Sequence, residues 1–199
     1  MNQTDTRERL ICAAFDLFFR KGYKDVSLQD IADAVGVTKG GFFHYFKTKD
    51  ELFLATMEAC YLSFMDGLVA DLEKPELPLD EKLELMVKLY YDEFASMMSR
   101  EGYEAGGMYV LVMDGIRRFV VFKERLADIY RAMEKGLKAS IERDKAAGLV
   151  RADADAQLFA FEVMSLLEGA FVVRIVGDSG DVRKKIRKIL KSICGRIAP

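Results

Sequence analysis

From Ala34 to Lys49 the chain carries Lys39, Lys47 and Lys49, its one histidine, His44, and no carboxylate. Two adjacent glycines, Gly40 and Gly41, lie inside that stretch, where each costs a helix about 1 kcal/mol relative to alanine. Positive charge beside open backbone is chemistry for holding an anion rather than for making bonds. The groups that other chemistries need are scattered. Cys12, Cys60 and Cys194 are far apart and fit neither a zinc spacing nor a disulfide framework, so they read as buried thiols. With its single histidine in the basic stretch, the chain has no Ser-His or Cys-His pair to assemble elsewhere. It also shows no nucleotide-binding glycine loop and no metal-ligand spacing, so neither catalysis nor a cofactor is expected. The net charge of -2 confines any nucleic-acid contact to a local patch.

The elements that must position this patch are helices. Strand-like alternation is scarce, helical spacing recurs along the 199 residues, and the chain reads as all-α with about nine helices. A three-helix head over residues 1–52 precedes a larger helical body over 53–199. The first helix, Arg7 to Lys21, lines up Leu10, Ile11, Ala14, Phe15 and Phe18 on one face. Ser27 caps a second helix with Asp30 in the capping-box position, and Gly36 ends it. Thr38 starts a third, and Thr48, with Glu51 in its box position, starts a fourth that runs to about Glu73. Ala32, at the crossing, and Gly36, at the turn, fit a helix-turn-helix locked by Ile31, Val35, Val37, Phe42 and Tyr45. Outward on its second helix stand Thr38, Lys39, Gly40, Gly41, Phe43 and His44. There the box position is Gly41 rather than an acid, which leaves the helix start and its positive dipole end to an anion. A helix entering the major groove of DNA uses both features.

The segment "TRERLICAAFDLFFRKGYKDVSLQDIADAVGVTKGGFFHYFKTKDEL" resembles the DNA-binding domain of the TetR family of bacterial transcriptional regulators. The resemblance covers about a quarter of the chain, with "GY…VS", "IA..VGV", "KG", the aromatic cluster and "F..K.EL" in order. It implies DNA contacts by Thr38, Lys39, Gly40, Phe43, His44 and Lys49, the last to a phosphate, and Ser27, Gly41 and Tyr45 are expected to join them. Tyr45 reads equally well as packing. Phe43 stands where the family commonly has tyrosine, so the hydroxyl that would reach a phosphate is absent.

Beyond "KPELP", helices are expected at about 79–100, 103–116, 119–145, 154–176 and 181–194. "DAQLFAFEVMSLLEGAFVVRIVG" is apolar nearly all round, and "DVRKKIRKILKSI" is amphipathic with a basic face. Together they resemble the family's dimer-forming pair, which implies a homodimer joined through Leu166, Leu167, Ala170, Phe171, Arg174, Ile186 and Ile189. Between head and dimer pair the chain is rich in methionine and tyrosine, suited to a pocket that adapts to apolar shapes. The expected ligand residues are Met65, Leu68, Met86, Tyr90, Met97, Met113, Arg117 and Glu162, for a small apolar or aromatic effector. The N-terminus has no apolar signal region and no run spans a membrane, so a cytoplasmic protein without a membrane partner is expected. The function implied is a repressor released by a ligand from a palindromic operator. The alternative is an architectural DNA-binding protein whose body is scaffold only.

Overall fold

The computed structural model describes residues 3–93, 106–177 and 181–199, which are helical throughout apart from turns and connections. The α-helices are α1 (Gln3–Lys21), α2 (Leu28–Val35), α3 (Lys39–Tyr45), α4 (Lys49–Met57), α5 (Ser63–Leu72), α6 (Leu79–Lys88), α7 (Gly107–Arg118), α8 (Val120–Ala146), α9 (Ala156–Val176) and α10 (Val182–Ile197). A π-helical turn, Glu58–Leu62, joins α4 to α5 in one continuous helix, and a second, Leu89–Glu93, extends α6. Counted this way the described residues form nine helices, as the periodicity predicts. The helix Lys49–Leu72 is long and apolar enough to cross a membrane. Its Leu52, Phe53, Met57, Leu62, Met65, Leu68 and Leu72, however, are buried in the protein's own cores.

The chain divides into two compact units, Met1–Met65 with Glu101–Leu126, and Asp66–Arg100 with Ala127–Pro199. This differs from the single cut after residue 52, because α7 belongs with the head by contacts distant in sequence. Gly107 lies so close to α1 that a Cβ there would fall 2.5 Å from the Phe19 ring. Phe119, just after α7, stacks on Phe53 of α4 with ring centroids 5.3 Å apart.

In the first unit the α1 stripe of Leu10, Ile11, Ala14, Phe15 and Phe18 is buried as its spacing requires. Burying these side chains contributes to holding α1 on α2 and α4. The local stops are also as the sequence indicates. Ser27 and Asp30 close a reciprocal capping box, and Gly36, at φ +73°, ends α2 in the left-handed conformation that side-chain-bearing residues avoid. Arg9 donates to the Val35 carbonyl at 2.7 Å, tying α1 to the last turn of α2.

In the second unit α5, α6, α8, α9 and α10 share a core. Gly136 of α8 sits against Leu72, where a Cβ would meet the backbone oxygen at 3.0 Å. Beside it Lys82, 2 % exposed, donates to the Leu72 carbonyl at 2.5 Å and to Ser140 Oγ at 3.0 Å. A buried ammonium is tolerated because those oxygens replace water. The expectation of three buried thiols is corrected: Cys12 is exposed, while Cys60 and Cys194 are half-buried. Burial, its largest cause, pushes the Cys60 thiol up to about 11.

Candidate nucleic-acid interface

The second helix of the helix-turn-helix, α3, is held from beneath by Phe42 and Phe46, each 1 % exposed. Arg7 of α1 stacks over Phe46 with its guanidinium carbon 5.1 Å from the ring centroid. With those rings inward, Thr38, Lys39, Gly40, Phe43 and His44 are exposed and Gly41 and Tyr45 half-exposed. His44 lies edge-on to Tyr45, with ring centroids 5.1 Å apart.

Thr38 Oγ1 accepts the Gly41 N–H at 3.1 Å. The cap therefore uses one of the four N–H groups that a helix start leaves unpaired, and the Phe42 N–H goes to the Thr38 carbonyl. Those of Lys39 and Gly40 point out of the helix start with no acid in the first turn. The packing of the head does not require a glycine at 40, and position 41 is the tighter of the two. A Cβ at Gly40 would have nothing nearer than Thr38 Oγ1 at 3.9 Å, and neither residue has positive φ. At Gly41 a Cβ would come within 3.3 Å of the same oxygen, a tight but local contact. Gly40 in particular leaves the helix start bare without a neighbour that demands it.

Ser27 is exposed, but its hydroxyl donates to Asp30 Oδ2 at 2.7 Å and accepts the Asp30 N–H at 3.1 Å. The box thus occupies Ser27 and holds the Asp30 carboxyl below its usual range.

Lys49 opens α4, capped by Thr48. Its ammonium lies 4.3 Å from the centroid of the Tyr23 ring and 3.4 Å from the Lys24 carbonyl. The same ring carries the Arg118 guanidinium at 4.8 Å, and the Tyr23 hydroxyl donates to Asp50. Arg118 Nε is buried without a hydrogen-bond partner, and Asp114 Oδ1 stands 3.6 Å away. Desolvation first, and the Arg118 charge second, lower the Lys49 ammonium from its ordinary value. One phenol ring therefore connects the expected phosphate contact to the end of α7. The sequence does not show this, because residues 23, 49 and 118 carry no common spacing.

The expected ligand residues distribute over both units. Met65, Leu68, Met86 and Tyr90 are buried, and Met97 lies outside the described residues. Three others are not enclosed in apolar surroundings. Met113 is 41 % exposed, and Arg117 is exposed while its neighbour Arg118 turns inward. Glu162 pairs with Arg196 at 2.5 Å, so it is not a charge left in apolar surroundings.

The polar centre of the second unit is instead Glu168, which the sequence reading passes over. The Tyr90 hydroxyl donates to Glu168 Oε1 at 2.7 Å and the Tyr130 hydroxyl donates to the same oxygen. Next to it the Tyr91 hydroxyl donates to the Leu167 carbonyl at 2.9 Å.

The expected dimer contacts also separate. Leu167, 0 % exposed, and Ile186, 1 %, are covered within one chain and have no surface to offer a second copy. Leu166, Ala170, Phe171 and Arg174 are half-buried, and Ile189 is 45 % exposed. The apolar side chains that α9 leaves open are Leu158, Phe161, Val172, Val173 and Val176, a stripe at helical spacing.

Comparison with known proteins agrees with this arrangement. Residues 10–56 match the domain described as "Bacterial regulatory proteins, tetR family", and residues 87–190 match "Tetracyclin repressor-like, C-terminal domain". The repressor NemR of Escherichia coli K12 is 24 % identical over 69 % of this chain and 64 % of its own length. An uncharacterised helix-turn-helix regulator of Lactococcus lactis is 32 % identical over 46 % of this chain and 47 % of its own. The chain thus spans about half to two-thirds of these relatives. Among solved structures, a regulator from Saccharomonospora viridis in complex with choline superposes with TM-score 0.77 at 21 % identity, covering 99 % of this chain and 100 % of that one. The SmeT–triclosan complex gives 0.71 at 21 % identity over 98 % and 92 %. With its helix-turn-helix head and most of its body matched, the chain belongs to the tetR family of bacterial regulatory proteins.

Proposed function

We propose that the protein is a ligand-responsive transcriptional repressor of the cytoplasm. On this reading it binds a palindromic operator as a homodimer and leaves it when a small molecule occupies the body. The observation that carries the DNA reading is the start of α3: an acid-free, exposed helix end with two successive glycines, the first of which meets no close neighbour. Lys49 at the start of α4 adds a phosphate contact on the same stretch of chain. Dimerisation is supported by the open apolar residues Val172, Val173 and Val176 at the end of α9 together with Ile189 of α10, a patch of the kind that marks a protein contact. In a two-fold dimer two α3 helices enter successive major grooves about 34 Å apart, and a ligand that alters their spacing weakens both contacts at once. Neighbours of the same fold hold choline, triclosan or stearoyl-CoA, which supports an effector site whose chemistry varies with the protein.

Selection of bound duplexes from random DNA tests the reading. An inverted repeat with half-sites one helical turn apart is expected. Operator affinity is then measured with and without compounds shown to bind the body, and a coupling of about 1 to 3 kcal/mol is expected, felt equally by ligand and by DNA. Equal affinity for every such compound would favour the architectural alternative.

A further inference from the structure

Glu168 is a half-buried carboxylate with no lysine or arginine paired to it among the described residues. Two hydroxyls donate to one of its oxygens, Oε1, and beyond them the side chain borders open space. The π turn makes this arrangement possible. Leu89, Tyr90 and Tyr91 are successive residues and all buried, which the wider π turn accommodates better than a regular helix. Tyr90 and Tyr91 thereby reach Glu168 and Leu167, themselves successive on α9.

What lies beyond is a cleft of about 320 Å³ between α8 and α9, with Tyr130 and Glu134 on one wall and Phe161, Met164 and Glu168 on the other. Arg131 and Ser165 line it as well, and the Arg131 guanidinium is paired with Asp128 of its own helix. Glu134 takes a hydrogen bond from Gln157 and, like Glu168, has no cation paired to it among the described residues. An anion would meet two carboxylates here. A neutral apolar guest would strip water from Glu168 without replacing it, at a cost that burial of the guest would have to exceed. A cation whose charge is spread over carbon meets both demands, because it offsets the carboxylates while packing on the two rings and the thioether. The cleft volume lies at the small end of ligand sites.

We propose that this cleft is a binding site for a small organic ammonium ion, with Glu168 as counter-charge and Phe161 and Tyr130 as aromatic walls. The binding claim stands on the second unit alone. Only the further step, that such an ion is the effector, rests on the regulator reading above.

The test is calorimetric titration of the full chain with benzyltrimethylammonium and with neutral benzyl alcohol. The ammonium is expected to give a saturable heat and to bind at least about tenfold more tightly than the alcohol. Glu168→Gln keeps an acceptor for both tyrosines and is expected to lose about tenfold or more in ammonium affinity. Phe161→Ala, at a side chain 65 % exposed and so without risk to the fold, is expected to lose several-fold. The proposal is overturned if Glu168→Gln binds the ammonium as tightly as the parent or if the alcohol binds equally well. Absence of any heat, as when a second copy's side chain fills the cleft, overturns it too. Failure of the regulator reading looks different: no duplex is retained, while the heat of ammonium binding is undiminished.

Discussion

Replacing Lys49 by methionine keeps the length of the side chain and removes its charge. Because Lys49 stands at the capped start of α4 with its ammonium 4.3 Å from the Tyr23 centroid, the charge is ordered before any DNA arrives. One phosphate contact per head is expected to disappear. For duplex DNA each such contact contributes about 0.9 to the slope of log K against log salt. On raising salt from about 50 to 200 mM, the variant's affinity should therefore fall about 3.5-fold less, per head, than the parent's. Sequence preference should not change, since a phosphate contact carries no base information.

Arg118→Gln then tests whether the ring links α7 to that contact. Arg118 and Lys49 lie 4.8 and 4.3 Å from one centroid, so their charges are closer than a Debye length of about 10 Å at 0.1 M salt. Arg118 helps to hold the ring on which Lys49 rests. Its loss should cost about 0.5 to 1 kcal/mol, the size of a partly exposed cation–π contact, or about two- to fivefold in affinity. The salt slope should stay as in the parent, and in the Lys49→Met background the same change should cost nothing. Fluorescence anisotropy of a labelled duplex across a salt series measures all four proteins. A slope unaltered by Lys49→Met would refute the phosphate contact. An Arg118→Gln loss of equal size in both backgrounds would show that Arg118 supports the head generally rather than acting through Lys49.

Gly40→Ala should raise the melting temperature, by up to about 1 kcal/mol in stability, because a Cβ has 3.9 Å of room, while DNA affinity falls; unchanged affinity would remove the need for bare backbone at that position. Val173→Glu, at a site 58 % exposed, should leave the fold intact and yield a monomer by sedimentation. Leu167→Glu, at 0 % exposure, should unfold the chain at a cost of several kcal/mol, and a Val173→Glu dimer of unaltered affinity would place the interface elsewhere. The Tyr23 and Tyr91 phenols are raised chiefly by burial, then by the Asp50 hydrogen bond for Tyr23 and the Glu168 charge for Tyr91. A raised folded-state value makes their stabilisation complete below pH of about 10 and lost as pH rises beyond it. Phenolate absorbance should show at least two tyrosines titrating later in the folded than in the unfolded chain, and identical curves would contradict the burial argument.

The head was legible because its signals are local. A capping box spans four residues, a left-handed glycine is a single residue, and the α1 stripe repeats within five turns. Each could be read without knowing what it would pack against, and Ser27, Gly36, Thr38 and Thr48 act in the structure as their types imply. What the sequence concealed are contacts whose partners are remote. The Tyr90 and Tyr91 hydroxyl bonds join residues 78 and 76 positions apart. Arg117 and Arg118 are adjacent and chemically alike, yet one is exposed and the other lies over Tyr23. No composition rule separates them, because only the direction of the α7 axis decides which guanidinium turns inward.

The dimer stripe shows a related limit. α9 is apolar nearly all round, so its sequence states that two faces are covered but not which face is covered by what. Leu167 and Val173 look equivalent as letters, and the fold assigns one to the chain's own core and leaves the other in the open. The π turn at Leu89–Glu93 works by the same logic on a smaller scale. Three successive large residues there read as a run with no helical face, an apparent fault in the periodicity of α6. In the structure all three are buried, and the fault is what aims two phenols at adjacent residues of α9. A break in periodicity within an otherwise regular helix is thus the one local trace the sequence carries of the Glu168 cluster.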